Sequence, residues 1–289
     1  MKKKIVLMLT VIMLIGLAGC GKNQINIKET GTSDNNEQMV QNIYENKRTE
    51  VKQKISEIKE RLPETSAEDK GTCGSKAKWY YKDNTLIIYG EGVITEDTWH
   101  KSNIVINTVV IDSGITKLGN NMFSGLGSEV GKNIENFYIA DGLEEIGSST
   151  FVNCDCLSEI VLPPSLYFID GYTFASCDSL KNVYMTDGVE KIGDSAFTGC
   201  KSLDSIFIPK TVLAIGNGVF TGCNNLSDIQ ISKDNRIFSE KNNCIINNDT
   251  KTLIYAINKD FSIPDDILCI AEDAIYGCEI DSLVIPEGV

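Results

Sequence analysis

The chain has 289 residues, of which 42% are hydrophobic and 23% are charged, and a folded protein of this length holds one or two domains. Its formal net charge at pH 7 is -13, and 24 basic residues face 40 acidic residues once Lys2, Lys3 and Lys4 are set aside. Nucleic acid and anionic lipid both require a cationic footprint, so this excess of carboxylates argues against either as a partner.

The N-terminus has the parts of an export signal. Lys2 to Lys4 supply positive charge, and residues 5–18 form an apolar stretch that is short for a membrane-spanning helix. The stretch ends in Leu17-Ala18-Gly19-Cys20, which resembles the lipobox of bacterial lipoproteins, whose cysteine is lipidated and becomes the first residue. We therefore expect a signal peptide over 1–19 and a lipid anchor on Cys20 at the outer face of the bacterial cell membrane. The alternative is an ordinary signal peptide with an incidental cysteine.

Residues 20–70 are expected to form a tether that contains one helix. The first part, to about residue 36, is polar and poor in large apolar residues, as flexible spacers are. Val51, Ile55, Ile58 and Leu62 then follow at helical spacings of 4, 3 and 4, and Pro63 ends the pattern. The spacing predicts a helix over 37–62, which either forms a short coiled-coil seam, lifts the following domain off the membrane, or packs on that domain.

Residues 71–100 are predicted to form a β-hairpin. Trp79-Tyr80-Tyr81 supplies one strand, Asp83-Asn84 the turn and residues 86–89 the second strand. A stacked repeat array needs a terminal unit that is apolar on one face only, and this hairpin occupies the place of such a cap.

The rest of the chain, 101–289, is dominated by a repeat of 23 residues. Phenylalanine, cysteine and leucine each recur at this step: Phe151, Phe174, Phe197 and Phe220; Cys154, Cys177, Cys200 and Cys223; Leu157, Leu180, Leu203 and Leu226. A unit of this size is too small to bury its own apolar face, so a constant period in the twenties predicts a solenoid. Each coil is expected to contain a short strand stacked in a parallel sheet, with turns or a brief helix on the other side, interrupted by a hairpin insertion at about 235–260.

The repeat motif carries a family resemblance. Ile-Gly-x-x-Ala-Phe-x-x-Cys-x-x-Leu-x-x-Ile-x-Ile-Pro, seen at residues 192–209, resembles the BspA-type (Treponema-type) leucine-rich repeats of bacterial surface proteins. The resemblance covers roughly residues 71–289. It implies a mainly β leucine-rich-repeat solenoid with short helical turns, preceded by the β-hairpin cap and the N-terminal helix. It also implies adhesion, or binding to a host or matrix protein.

Ten cysteines in an exported chain invite a disulfide interpretation. Cys20 is assigned to lipid, and Cys154, Cys177, Cys200, Cys223 and Cys278 share one repeat position. Neighbours in such a column are close enough to bridge, but their parallel Cβ vectors disfavour a disulfide. We favour a column of buried free thiols, with Cys73, Cys244 and Cys269 also expected to be buried thiols.

Catalytic and metal-binding motifs are missing from the sequence. His100 is the only histidine, so Ser-His-Asp, Cys-His and multi-histidine zinc arrangements lack members. We expect His100 to be a cap or surface residue, and we expect no enzyme activity, cofactor or metal.

The outward face of the stacked strands is the predicted binding surface. Because side chains alternate along a strand, Tyr138, Val161, Tyr184 and Phe207 form one outward column, and Glu159 and Asp228 belong to the polar column beside it. Exposed aromatic residues often anchor interfaces, although here they can also simply stack along the sheet.

These features predict a lipid-anchored cell-surface protein that binds an extracellular protein, or a matrix or host surface, through its sheet face. The alternative is a glycan-binding or cell-wall-binding module that uses the same aromatic residues. The chain stops at Val289 in mid-repeat, so we expect either further C-terminal sequence or an incomplete last coil.

Overall fold

The structure is a computed structural model that describes residues 33–101, 104–125, 129–257, 261–278 and 280–289. The predicted signal peptide, Cys20 and the first part of the tether lie outside the described residues. Helix α1 covers Ser33–Arg61. It begins four residues before the predicted helix, 37–62, and ends one residue before it. The described residues contain three further short helical segments, at Glu64–Ser66, Thr98–Lys101 and Glu129–Lys132, the last of which is α2.

The predicted hairpin cap is present, with one additional strand. Strands β1 (Asp69–Thr72), β2 (Lys76–Lys82) and β3 (Thr85–Ile94) pair antiparallel in order. Asp83 and Asn84 link β2 to β3 and both have positive φ, at 47° and 55°, as the tight two-residue turn of a hairpin requires. Strand β3 then pairs with the first repeat strand in parallel, which joins the cap to the solenoid.

Two sides of each coil are stacked strands, and the structure confirms the predicted solenoid. The front sheet continues from β3 through β4 (Thr108–Ile111), β6 (Asn136–Ile139), β8 (Glu159–Val161), β10 (Asn182–Tyr184), β12 (Ser205–Ile208) and β14 (Asp228–Ile231). The side sheet contains β5 (Ile115–Leu118), β7 (Glu145–Ile146), β9 (Phe168–Ile169), β11 (Lys191–Ile192) and β13 (Ala214–Ile215). Every neighbouring pair of side strands is joined in a parallel ladder, whereas the front strands are joined in three blocks, β3–β4–β6, β8–β10 and β12–β14. Within the blocks, Asn182 pairs with Glu159 and Ser205 with Asp228.

The third side of each coil consists of turns rather than a brief helix. Backbone hydrogen bonds stack these turns, as from Phe151 N to Thr173 O at 2.8 Å and from Phe174 N to Ala196 O at 2.8 Å. Inside the coils the repeated phenylalanines form a continuous stack on Trp99: Phe123, Phe151, Phe174, Phe197 and Phe220, with neighbouring ring centroids 5.1–5.9 Å apart.

The predicted insertion is also a sheet. Strands β15 (Phe238–Lys241), β16 (Cys244–Asn247) and β17 (Thr252–Ala256) pair antiparallel, and β18 (Cys269–Ile270) adds to β17 in parallel as the solenoid resumes. Asn235 lies between β14 and β15. Its side chain donates hydrogen bonds to Pro209 O and Val212 O, and these bonds connect the insertion to the preceding coil.

Candidate binding surface on the front sheet

Helix α1 lies across the outward face of the front sheet and runs against the direction of stacking. At its C-terminal end, the Tyr80 hydroxyl on β2 donates to Leu62 O at 2.9 Å. Near its N-terminal end, Glu37 Oε1 accepts a hydrogen bond from Lys233 N, just after β14, at 2.5 Å. The helix therefore spans the front face from the cap to the last front strand, and the option that it packs on its own domain is the one the structure adopts.

Apolar side chains hold α1 against the cap and the first coils. Val51, Ile55, Ile58 and Leu62 are buried in one cluster with Tyr80, Ile87, Val110 and Val161 of the sheet. These are the four positions whose spacing predicted the helix, so the stripe was identified correctly from the sequence. Burying side chains of this kind contributes about 1.5–3 kcal/mol each, which makes the apolar stripe the main attraction between helix and sheet.

Ion pairs and hydrogen bonds fix the register of α1 over the middle coils. Lys47 Nζ donates to Glu159 Oε1 at 3.0 Å, and the Arg48 guanidinium contacts Asp141 Oδ1 at 2.6 Å and Ile139 O at 3.0 Å. The Tyr44 hydroxyl donates to Leu162 O at 2.8 Å. Burial disfavours ionisation of Asp141, but hydrogen bonds from Lys52 and Arg48 outweigh it and lower the pKa of that carboxyl.

The expectation of an open aromatic column is wrong for the middle coils. Val161 is only 4% exposed, and Tyr138 and Tyr184 are half-buried beside α1, where burial raises the pKa of both hydroxyls. Glu159 is paired with Lys47 and is half-buried. These side chains do point away from the solenoid core, as the alternation along the strands predicted. The surface that they form is covered by α1.

The covering is looser towards the N-terminal end of α1. Val51, Ile55 and Ile58 are buried, whereas Val40 and Ile43 are half-buried and Met39 is 39% exposed. Between this end of the helix and strands β10, β12 and β14 lies a small groove with a cavity volume of about 60 Å³. It is lined mainly by apolar groups, with polar groups at its edge: Val40, Ile43, Tyr44, Val183, Tyr184, Met185, Ile206, Phe207; Asn182, Ser205, Asp228, Gln230.

Phe207 and Asp228 are the predicted site residues that this groove brings together. Phe207 is half-buried and borders the groove and the depressions on either side of it. Asp228 is half-buried, and its Oδ2 accepts a hydrogen bond from Gln230 Nε2 at 3.1 Å. Tyr184 contributes to the same groove, whereas Tyr138 and Val161 belong to the part of the face that α1 closes over.

The residues that sequence reasoning missed are those of α1. Val40, Ile43 and Tyr44 form the helical wall of the groove, and Arg48 is one of its main contacts with the sheet. Tyr44 lies seven residues before Val51 and so continues the apolar stripe by two turns, a pattern that could have extended the predicted contact face towards the start of the helix.

The cysteine column consists of free thiols, as favoured from the sequence, but its last member, Cys278, is only half-buried. The buried Cys154, Cys177, Cys200 and Cys223 thiols each donate to a phenylalanine carbonyl oxygen of the preceding coil at 2.9–3.2 Å. Cys73 and Cys244 are buried free thiols as well, but the prediction for Cys269 is wrong because its side chain lies on an exposed strand end.

Chemically reactive clusters do not accompany the groove. Within the described ranges, no three His, Cys, Asp or Glu side chains are arranged to hold a metal ion. His100 Nδ1 lies 2.7 Å from Asp97 Oδ2 in the cap, and neither residue lines the groove. None of the helices in the described part of the chain is both long enough and apolar enough to span a membrane.

Comparison with known proteins supports the repeat assignment. Residues 129–249 match the family model "BspA type Leucine rich repeat region" in six copies, which confirms the resemblance found in the motif. No curated protein sequence is significantly similar to this chain.

Solved structures share the fold at low sequence identity. A leucine-rich repeat protein from Eubacterium ventriosum is 21% identical with a TM-score of 0.59, and the match covers 76% of this chain and 60% of that one. The pneumococcal vaccine antigen PcpA is 18% identical with a TM-score of 0.57, over 77% of this chain and 66% of that one. A leucine rich cell surface protein from Faecalibacterium prausnitzii is 19% identical with a TM-score of 0.50, over 76% and 78%. The chain thus spans just under two thirds of the length of the first two proteins.

Proposed function

We propose that this chain, whose residues 129–249 form a BspA-type leucine-rich-repeat region, is a cell-surface scaffold that binds another protein through the groove at the N-terminal end of α1. A repeat solenoid carries no fixed activity, so the function has to be argued from its surface. The fold is one that is typically non-enzymatic, and the groove offers shape and apolar contact rather than reactive groups.

A single observation carries the proposal. Helix α1 packs closely on the front face over the cap and the middle coils and more loosely beside β10, β12 and β14, where Phe207 and Tyr184 border an apolar groove. An apolar pocket edged by a few polar groups is the usual form of a binding site, and aromatic residues in such pockets supply much of the affinity of protein interfaces.

The shape of the site favours a protein partner over a glycan. Glycan recognition by this face was expected to use several open aromatic rings, but Tyr138 and Tyr184 are half-buried beside α1. Phe207 borders the groove and the depressions on either side of it, so a partner side chain can approach it from the surface. Insertion of an apolar side chain into a matching recess is the usual arrangement at protein–protein hot spots.

Site-directed photo-crosslinking in intact cells tests the proposal. A photoreactive phenylalanine analogue at position 207 is expected to capture one protein partner, which is then identified. The matched control carries the same analogue at position 213, because Leu213 is 58% exposed but immediately precedes β13 of the side sheet. Equal capture of that partner from both positions, or capture of polysaccharide instead of protein, contradicts the proposal.

Attachment to the membrane by a lipid on Cys20 is part of the proposal and rests on the sequence Leu17-Ala18-Gly19-Cys20. Metabolic labelling with a fatty acid is expected to mark the natural chain and not the Cys20→Ser variant. We expect the unlabelled variant to leave the membrane fraction, since a spanning helix is not required for anchoring by acyl chains. Incorporation of label into both proteins would rule out Cys20 as the modified residue.

A further inference from the structure

The front face pairs its carboxylates with cations from α1. Asp112 lies 2.5 Å from Lys59 Nζ, Asp141 lies 2.6 Å from the Arg48 guanidinium, and Glu159 lies 3.0 Å from Lys47 Nζ. For Lys47, burial lowers the pKa, but the hydrogen bond to Glu159 and the charges of neighbouring acidic groups together outweigh it, and the pKa is raised overall. In each contact a basic side chain of the helix meets a carboxylate that lies on a front strand or just after one.

Asp228 breaks this pattern. It occupies the same strand position as Glu159, three coils further along the stack, and both pair in register with the equivalent residue of the neighbouring strand. Its carboxylate accepts a hydrogen bond from Gln230 on the same strand, and no cation among the described residues forms an ion pair with it. The helix brings Glu37 and Gln38 to this end of the face instead of a basic residue.

The carboxylate of Asp228 stands at the edge of the apolar groove. Ile43 and Tyr44 form one wall of the groove, and Tyr184 and Phe207 belong to the sheet side. Tyr44 also belongs to the buried cluster between α1 and the sheet, so the groove is continuous with that interface. The same surface that contacts the Tyr44 and Lys47 side chains of α1 therefore continues to Phe207 and Asp228, where α1 covers it only loosely.

We infer that the groove binds a cationic amphipathic segment of the partner protein, with an apolar side chain between Ile43 and Phe207 and a Lys or Arg side chain on Asp228. This inference rests on the proposed function and adds the chemistry of the partner. In α1, Tyr44 and Lys47 lie three residues apart, which places them on one side of the helix. A partner helix with an apolar residue and a basic residue at that spacing would place the apolar side chain on Phe207 and the basic side chain on Asp228. This pairing resembles the one that Lys47 of α1 makes with Glu159. The net charge of -13 draws such a segment towards the protein.

Binding of two designed peptides to the full-length protein tests the inference. Both are amphipathic helices of about 15 residues, a length at which an isolated helix begins to be stable in water. They share one leucine pattern and differ only in carrying lysine or glutamate on the polar side. Fluorescence anisotropy is expected to show the lysine peptide binding at least about tenfold more tightly, because it alone supplies a charged donor to Asp228.

Variants separate the groove from general attraction to an acidic protein. Asp228→Asn is expected to weaken the lysine peptide about tenfold and to leave the glutamate peptide unchanged. Phe207→Ser is expected to weaken both peptides. Asp178→Asn removes the same charge outside the groove, where Asp178 forms an exposed ion pair with Lys201. We expect this substitution to change the affinity for either peptide by less than about twofold. Equal losses for Asp228→Asn and Asp178→Asn, or equal binding of the two peptides, overturn the inference.

Failure of this inference can be told apart from failure of the proposed function. If the partner captured at position 207 binds the Asp228→Asn variant as tightly as the natural chain, the partner chemistry is wrong while the site stands. If position 207 captures no partner yet the lysine peptide depends on Asp228, the groove has the stated preference and the proposed function fails.

Discussion

At the scale of single residues, the stacked phenylalanines are the clearest product of the repeat. Phe174 is fully buried, with its ring centroid 5.1 Å from that of Phe151 and 5.3 Å from that of Phe197. Each coil therefore contributes one ring to a column that no single coil could bury by itself. A residue in the middle of the column has neighbours on both sides, and its removal leaves a cavity that stacked backbone strands cannot close.

We predict that Phe174→Ala lowers the free energy of unfolding by about 3–5 kcal/mol, the cost of removing a large side chain from a rigid core. Urea titration followed by circular dichroism measures the loss. Leu213→Ala provides the control, since that side chain is 58% exposed, and its effect is expected to stay within about 0.5 kcal/mol. A loss below about 1 kcal/mol for Phe174→Ala would mean that the column is not a rigid core.

The thiol column leads to a prediction about alkaline pH. Burial raises the pKa of the Cys177 and Cys200 thiols well above the ordinary value of 9.0. In the folded protein these thiols stay protonated, whereas in the unfolded chain they ionise as the pH passes 9. Their contribution to stability is therefore fully present below pH 9 and is lost as the pH rises above it, by about 1.4 kcal/mol per pH unit for each thiol.

The double variant Cys177→Ala/Cys200→Ala is accordingly expected to lose stability less steeply than the natural chain between pH 9 and 10.5. The measurement is the free energy of unfolding in urea at several pH values. Buried tyrosines such as Tyr44, whose pKa is also raised by burial, contribute equally to both proteins and cancel in the comparison. Identical slopes for the two proteins would contradict the prediction.

At the scale of elements, the repeat made the fold predictable, but the position of α1 was not. Every coil buries the same sequence positions, so the period of 23 and the strand motif were enough to predict the parallel stack. An apolar stripe such as Val51, Ile55 and Ile58 shows only that a helix buries one face. The surface that accepts it is chosen by contacts distant in sequence, such as Tyr44 to Leu162, 118 residues apart. The predicted side chains do lie on the outward face of the front sheet, but α1 covers part of that face. Of the predicted site residues, Tyr184, Phe207 and Asp228 line the groove.

The apolar stripe of α1 and the core of the solenoid form separate clusters, so we predict that they can be uncoupled. Ile55→Asp places a carboxylate in the buried helix–sheet contact, which costs several kcal/mol when unpaired, and should release α1 from the sheet. Hydrogen exchange is expected to accelerate over residues 33–61 while the solenoid core from Phe151 to Phe220 stays protected. Binding of a hydrophobic dye should rise as the front face opens.

The neighbouring substitution Ser56→Asp is the matched control, because residue 56 is exposed on the same helix. It is expected to leave exchange and dye binding unchanged. Loss of protection throughout the solenoid in Ile55→Asp would show instead that α1 is an inseparable part of the core.

At the scale of the whole molecule, α1 links coils that otherwise touch only their neighbours. Front strands stack about 4.8 Å apart, and the helix advances about 5.4 Å per turn, so nearly one turn of α1 faces each strand. Its 29 residues make it about 43 Å long, enough to cross the front sheet from β2 to β14. Ion pairs between side chains 23 residues apart, such as Lys201 with Asp178 and Lys210 with Asp187, join adjacent coils, but exposed pairs of this kind contribute little.

Deletion of residues 203–225 removes one complete repeat and tests how the stack and α1 depend on each other. Leu226 then takes the place of Leu203, and every remaining coil keeps its own apolar positions, so we predict a folded protein with one cooperative unfolding transition. Loss of 23 residues is expected to lower the free energy of unfolding by about 1–3 kcal/mol, in proportion to the residues removed. The shortened sheet no longer reaches the start of α1, whereas the pairing of Lys47 with Glu159 keeps its register. Hydrogen exchange should therefore accelerate over residues 33–38 and stay slow over residues 44–62. Uniform loss of protection along α1 would mean that the helix is held by its ends and not strand by strand.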